Sequence, residues 1–274
     1  MPRQGRRYDG IGETAMGSYL FQAGMEKNLV RWRTHFQDKY VLTDSNVLWF
    51  RLAAGRQNNR DTRMQEIQSI IQKIRKLSEG EKRFDHIDLT WDEQMQREAP
   101  KKYLEASIEL FHALGGKTIV EIGCMRQPMN HPIEEVHPEC CNDGHSTIYW
   151  CLSGARVYLA DISLGVVLLA KKCLREYRNG KIVWCDGLKF LRKFKGRIDL
   201  LFLDAWDVLP GTKYAENHLL AYLTAKDNLG ERNIVVIDDT DIGGGGKGKL
   251  LLPVLEADGY DILVSGRQSI ALKL

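Results

Sequence analysis

The chain of 274 residues is long enough for one large domain, or for a medium domain with an appendage. Its 43 % apolar and 27 % charged residues argue against wholesale disorder, and its longest apolar runs, such as 165–170, fall far short of the ~18–20 residues a membrane span needs. A net charge of +3 is too mild to point to a nucleic-acid partner.

The first seven residues are basic, and no apolar segment with a cleavage site follows them, so no secretory signal is expected. Before residue 100 the patterns are helical. Phe21, Met25, Leu29, Trp32 and Phe36 fall on one helix face, as do Met64, Ile67, Ile70, Ile71, Ile74 and Leu77. Asn46 to Ala54 is a shorter apolar stretch that stops at Gly55. Thr90-Trp91-Asp92-Glu93 has the form of a capping box and predicts a helical stretch that Pro100 interrupts and Gly115-Gly116 ends.

Beyond that point strands and helices alternate. Strands are expected over 118–122, 156–161, 181–185, 198–204, 233–238, 260–264 and 269–272. Helices are expected over 144–152, from Ser163 to about 174, and over 187–194, 215–228 and 249–257. Near-continuous apolar strands alternating with helices predict a parallel sheet covered on both faces. The last two strands are too close in sequence for a parallel crossover, so at least one pairing there is antiparallel. The expected class is α/β: a doubly wound, seven-stranded, mostly parallel sheet over residues 96–274. Residues 1–95 form a helical N-terminal region that covers the substrate side or makes a dimer contact. Six cysteines without a CxxC pair give no disulfide framework, and a cytoplasmic location is the expectation.

In open α/β sheets, ligands bind beyond the carboxyl ends of the strands. Every expected parallel strand delivers a carboxylate there: Glu121, Asp161, Asp186, Asp204 with Asp207, and Asp238 with Asp239 and Asp241. A single acid after a strand commonly caps the next helix. Five in series point to a ligand with hydroxyl and amine donors, or to a cation.

Val120-Glu121-Ile122-Gly123-Cys124 followed by Gly144-His145-Ser146-Thr147 resembles the first motif of class I S-adenosylmethionine-dependent methyltransferases. Tyr158-Leu159-Ala160-Asp161 resembles the second, and Trp184-Cys185-Asp186-Gly187 the third. The resemblance covers the 96–274 region and implies a Rossmann-like methyltransferase fold with S-adenosylmethionine as methyl donor. It implies that Gly123 and Gly144 let the backbone approach the amino-acid part of that cofactor, with Glu121 holding one of its donors. It places Asp161 at the ribose hydroxyls and Asp186 at the adenine amine, with Ser146, Ile162, Gly187 and Asp204 completing the set. The usual tight first loop is here expanded by residues 125–143, which contain His131, His137, Cys140 and Cys141.

A narrower resemblance rests on Ile198 to Trp206 and on Ile234 to Asp239. Both look like the divalent-metal motifs of catechol-type O-methyltransferases and of the sugar O-methyltransferases that modify macrolides. It implies Mg²⁺ held by Asp204, Asp238 and Asp239, acting as a Lewis acid on a substrate hydroxyl. The catechol enzymes carry a Lys base three residues after the fourth-strand Asp, where this chain has Asp207. The base is therefore open between Asp207, His145 and His218, with His137 on the insertion a further candidate.

Other readings compete. Gly243, Gly248 and Lys249 satisfy the spacing of a phosphate-binding loop, but Leu250 stands where Ser or Thr belongs. A mobile loop whose Lys247 and Lys249 meet an anionic substrate is the expectation. Cys124, His137, Cys140 and Cys141 match no usual zinc spacing, and a lid is the plainer role for the insertion. Methyl transfer to a hydroxyl of a small molecule, a sugar or natural-product scaffold, is the expected function. An RNA methyltransferase without metal and a non-catalytic binding module of the same fold are the alternatives.

Overall fold

The computed structural model describes residues 60–124 and 145–274, which all belong to one compact unit. The helical stripe at 21–36, the 46–54 stretch, Gly144 and the 125–143 insertion lie outside the described residues, as does the side chain of His145.

In chain order the elements are α1 (Arg60–Ile74), α2 (Trp91–Met95), α3 (Lys101–Ala113), β1 (Thr118–Ile122), α4 (His145–Leu152), β2 (Arg156–Asp161), α5 (Leu164–Cys173) and β3 (Gly180–Trp184). They continue as α6 (Gly187–Lys193), β4 (Ile198–Leu203), α7 (Tyr214–Ala225), β5 (Leu229–Ile237), α8 (Leu251–Ala257), β6 (Asp261–Ser265) and β7 (Ser269–Lys273). The capping box forms as expected: the Thr90 hydroxyl accepts the Glu93 N–H, and the Thr90 N–H donates to the Glu93 carboxylate at 2.8 Å. Ile67, Ile70, Ile71 and Ile74 are buried, while Met64 at the start of the stripe is exposed. Helix α1 packs against α3, with Arg63 donating to the Ala113 carbonyl and Lys73 paired with Glu109. Within the described residues, the change of pattern near residue 100 therefore falls inside one packed unit.

The strand order is β3-β2-β1-β4-β5-β7-β6. The first five strands are mutually parallel, and β7 runs antiparallel to both β5 and β6. Every residue of β1 and β4 is buried, as the continuous apolar runs require of central strands covered on both faces. The chain winds one way from β1 to β3 and the other way from β4 to β5. The switch point lies between β1 and β4, the place where open α/β sheets bind ligands beyond the carboxyl ends of their strands.

Helix α8 starts two residues later than expected. A short 3₁₀ turn at Gly246–Gly248 precedes it, and Pro253 sits in its first turn, where no helical N–H is needed. No helix among the described residues is long and apolar enough to cross a membrane.

Candidate active site at the carboxyl edge of the sheet

The β1 end is built on Glu121, which is fully buried. Its two oxygens accept hydrogen bonds from the Ser146 hydroxyl at 2.6 Å and the Thr147 hydroxyl at 2.9 Å, both in the first turn of α4. Burial pushes its pKa up to about 8, against the pull of those two hydroxyls. Glu121 thus ties α4 to the sheet. Gly123 has φ +89°, and a Cβ there would stand 2.9 Å from the backbone of Asp204 and Ala205. The glycine is needed first for the close passage of the β1 and β4 ends.

Asp161 ends β2, half-buried. One oxygen accepts the Ser163 N–H at 2.7 Å and the other the Cys124 N–H at 3.3 Å, so the carboxylate bridges the β1 turn and the start of α5. Beside it Ile162 is 71 % and Trp184 61 % exposed, an apolar surface at the carboxyl ends of β2 and β3. The Trp184 indole N–H is anchored on the Ile162 carbonyl at 2.9 Å. Asp186 caps α6 by accepting the Lys189 N–H at 2.9 Å. A Cβ on Gly187 would run into the Ile122 side chain, so that glycine seats α6 against the β1 end.

At the β4 and β5 ends, Asp204, Asp238 and Asp239 converge as the sequence predicts, with ligand-capable oxygens all within 4.8 Å of one another. A cation already stands among them, and it is Lys247. Its ammonium lies 2.6 Å from Asp204 Oδ1, 3.2 Å from the Asp204 carbonyl and 2.9 Å from Asp239 Oδ2. Its three N–H donors therefore meet three oxygens. Arg97 donates to Asp239 Oδ1 at 2.7 Å and to both oxygens of Asp241. Arg267 pairs with Asp239 and with Asp238, and Gln268 donates to the other Asp238 oxygen at 2.8 Å. Burial disfavours the charge on Lys247, but Asp204, Asp239 and Asp238 outweigh it and hold its pKa above the ordinary lysine range. Burial likewise works against the Asp239 carboxylate, and Arg267, Lys247 and Arg97 hold it well below the usual range.

These residues do not fit the expected Mg²⁺. An ion at the ~2.1 Å that Mg²⁺ demands from Asp204 and Asp239 would overlap the ammonium nitrogen. Lys247 also departs from the expected role of meeting an anionic substrate: it is fully buried and turned inward, whereas Lys249 is exposed.

The backbone pays a conformational cost at both strand ends. Trp206 has φ +52° and Asp239 φ +50°, the two non-glycine residues with positive φ among the described residues.

Of the base candidates, Asp207 is exposed on the loop after β4, where its carbonyl accepts the Thr212 hydroxyl at 3.3 Å. His218 is fully buried in α7. Its Nδ1–H donates to the Tyr214 carbonyl at 2.6 Å, and Nε2 has no hydrogen-bond partner among the described residues. Burial, reinforced by the Lys247 charge, lowers its pKa to about 3, which makes it a weak base at neutral pH. Arg97, Arg267 and Gln268 are site residues that sequence reading missed, and Lys247 was singled out there for a different role. The one signal available was the glycine run before Lys247.

No family model matches the chain, and no curated protein matches it. Among solved structures, a Podospora anserina methyltransferase bound to S-adenosylhomocysteine is 13 % identical, with 97 % of this chain and 99 % of that one covered at a TM-score of 0.47. An O-methyltransferase from Bacillus cereus in complex with S-adenosylhomocysteine is 12 % identical, covering 91 % and 100 % at 0.44. The magnesium protoporphyrin IX methyltransferase of Synechocystis is 16 % identical, covering 69 % and 89 % at 0.43. All three are methyltransferases, the class that the strand-end motifs resemble.

Proposed function

We propose that the chain is an S-adenosylmethionine-dependent methyltransferase that acts on a hydroxyl of a small molecule and needs no divalent ion. The observation that carries this reading is Asp161. A half-buried carboxylate ends the strand next to the switch point, steadied by two backbone N–H groups and flanked by exposed Ile162 and Trp184. A carboxylate beside an apolar surface suits a ribose diol attached to a flat heterocycle. Asp161 would take the ribose hydroxyls, Ile162 would lie under the base, and the β1 turn at Gly123 would face the amino-acid part.

When bound, the cofactor supplies an electrophilic methyl group on a sulfonium. The chain's residues have the remaining tasks. They orient the acceptor oxygen, which matters most because transfer needs that oxygen in line with the breaking C–S bond. They also take the hydroxyl proton as the C–O bond forms. Asp207 is the exposed carboxylate nearest in sequence to the β4 end and is assigned that proton. Asp204 and Asp239, held by Lys247, form the rigid floor beside it.

The test is methyl transfer from labelled S-adenosylmethionine, in excess chelator, to a panel of sugars, phenols and polyhydroxylated scaffolds, with RNA as a separate arm. Label on a small-molecule oxygen is the expected result, with KM for the donor raised in Asp161→Ala. Label on RNA alone would replace the acceptor assignment. No transfer to any acceptor, together with no donor binding, would overturn the reading.

A further inference from the structure

We infer that Lys247 is the resident cation of the strand-end carboxylates, occupying the position a divalent ion would hold, so that this site is closed to metal in the wild-type chain. The glycine run is what delivers it. Gly243, Gly244, Gly245 and Gly246 all have positive φ, from +47° to +111°, a backbone path that side chains with a Cβ adopt at a cost. A Cβ on Gly246 would collide with the Asp239 carbonyl oxygen, so only glycine lets the loop come this close. That same carbonyl accepts the Lys247 N–H at 3.2 Å, and Lys247 is thereby held at both its backbone and its ammonium.

The rest of the cluster is arranged around this cation. Arg97 and Arg267 engage the Asp239 oxygen that Lys247 leaves, and they also pair with Asp241 and Asp238. Four buried or half-buried carboxylates thus face three fixed cations. Buried charges persist when paired and hydrogen-bonded, and here each of the four carboxylates has at least one of these cations as a partner. The arrangement accounts for three features at once: acidic residues in a metal-like pattern, a glycine run that binds no phosphate, and a lysine with no exposure. Lys247 acts as a positioning residue, fixing Asp204 and Asp239 at the β4 and β5 ends.

The cation assignment stands on this geometry alone. Its consequence, transfer without metal, rests on the methyltransferase reading, so the experiment measures cation binding rather than turnover. Wild-type chain, Lys247→Ala and the length-matched Lys247→Met are titrated with Mn²⁺ and followed by electron paramagnetic resonance and thermal unfolding. The wild type is expected to show no saturable Mn²⁺ site and the same unfolding midpoint in Mg²⁺ and in chelator. Lys247→Ala is expected to gain one Mn²⁺ site, lost again in Lys247→Ala with Asp204→Asn. With Mn²⁺ about a hundredfold above its Kd, the folding equilibrium of that variant shifts about a hundredfold toward the native state. If Lys247→Ala folds only when Mn²⁺ is present, that rescue is the same result in stronger form. A saturable wild-type Mn²⁺ site abolished by Asp204→Asn would overturn the inference. So would folded Lys247 variants that bind no Mn²⁺. Titration of the same samples with S-adenosylhomocysteine reports separately on the methyltransferase reading.

Discussion

Replacing Glu121 with glutamine should remove a loss of stability that the wild type suffers as pH rises through the neutral range. Glu121 is fully buried at the end of β1, and burial raises its pKa from 4.5 to about 8 despite hydrogen bonds from Ser146 and Thr147. The native state therefore holds the proton over a window in which the unfolded chain has released it. A raised native pKa gives a contribution fully present below about 4.5 and lost as pH climbs through about 8. The difference corresponds to about 5 kcal/mol at most, at 1.36 kcal/mol per pH unit. A glutamine at this position stays neutral and can still accept from one hydroxyl and donate to the other. Chemical denaturation of wild type and Glu121→Gln at intervals from about pH 5 to about pH 9 measures the effect, and the comparison cancels every other titrating group. The wild type should lose several kcal/mol relative to the variant across the window, with the variant the more stable at the alkaline end. Parallel stability profiles, or a wild type that gains on the variant as pH rises, would refute the reasoning.

Three further outcomes follow from the same structure. Asp239→Ala leaves Lys247, Arg97 and Arg267 short of a buried partner and should cost about 3–5 kcal/mol in denaturant unfolding. A double-mutant cycle with Lys247→Met should recover part of that loss, and strict additivity would deny the pairing. Gly246→Ala adds a Cβ against the Asp239 carbonyl at φ +47° and should lower stability by at least about 2 kcal/mol, whereas Gly154→Ala, with open space around its Cβ, should cost only the strain of its positive φ. His218 is held neutral with a pKa of about 3, so its contribution is present above 6.5 and is lost as pH falls toward 3. By about pH 4 the loss should reach about 3 kcal/mol, and His218→Gln should remove that part of the acid sensitivity.

The sheet was legible because its physics is local. The unbroken apolar runs of β1 and β4 have no other home than a doubly covered centre, and the short gap between Ser265 and Ser269 forces the antiparallel ending. The carboxylates at the strand ends were legible for the same reason, since a strand's last residue is readable from where its apolar run stops. What the carboxylates bind was not. Arg97 meets Asp239 and Asp241 across 142 and 144 residues, and Arg267 meets Asp239 across 28. Partners so far apart leave no periodic trace. Lys247 looked like a surface lysine because glycine-rich loops usually are solvated, and only the positive φ angles and the crowding at Gly246 show the chain turning inward. Gly123 and Gly187, both expected in the cofactor set, are each also required by backbone or side-chain packing within the protein.

The measurement that bears most directly on the central claim is calorimetric titration of the wild-type chain with S-adenosylhomocysteine in excess chelator. One site of micromolar affinity, weakened about ten- to a hundredfold in Asp161→Ala by loss of charge-assisted hydrogen bonds, is the expected result. An absence of binding, or binding indifferent to Asp161→Ala, would contradict the assignment of this sheet edge as the methyl-donor site.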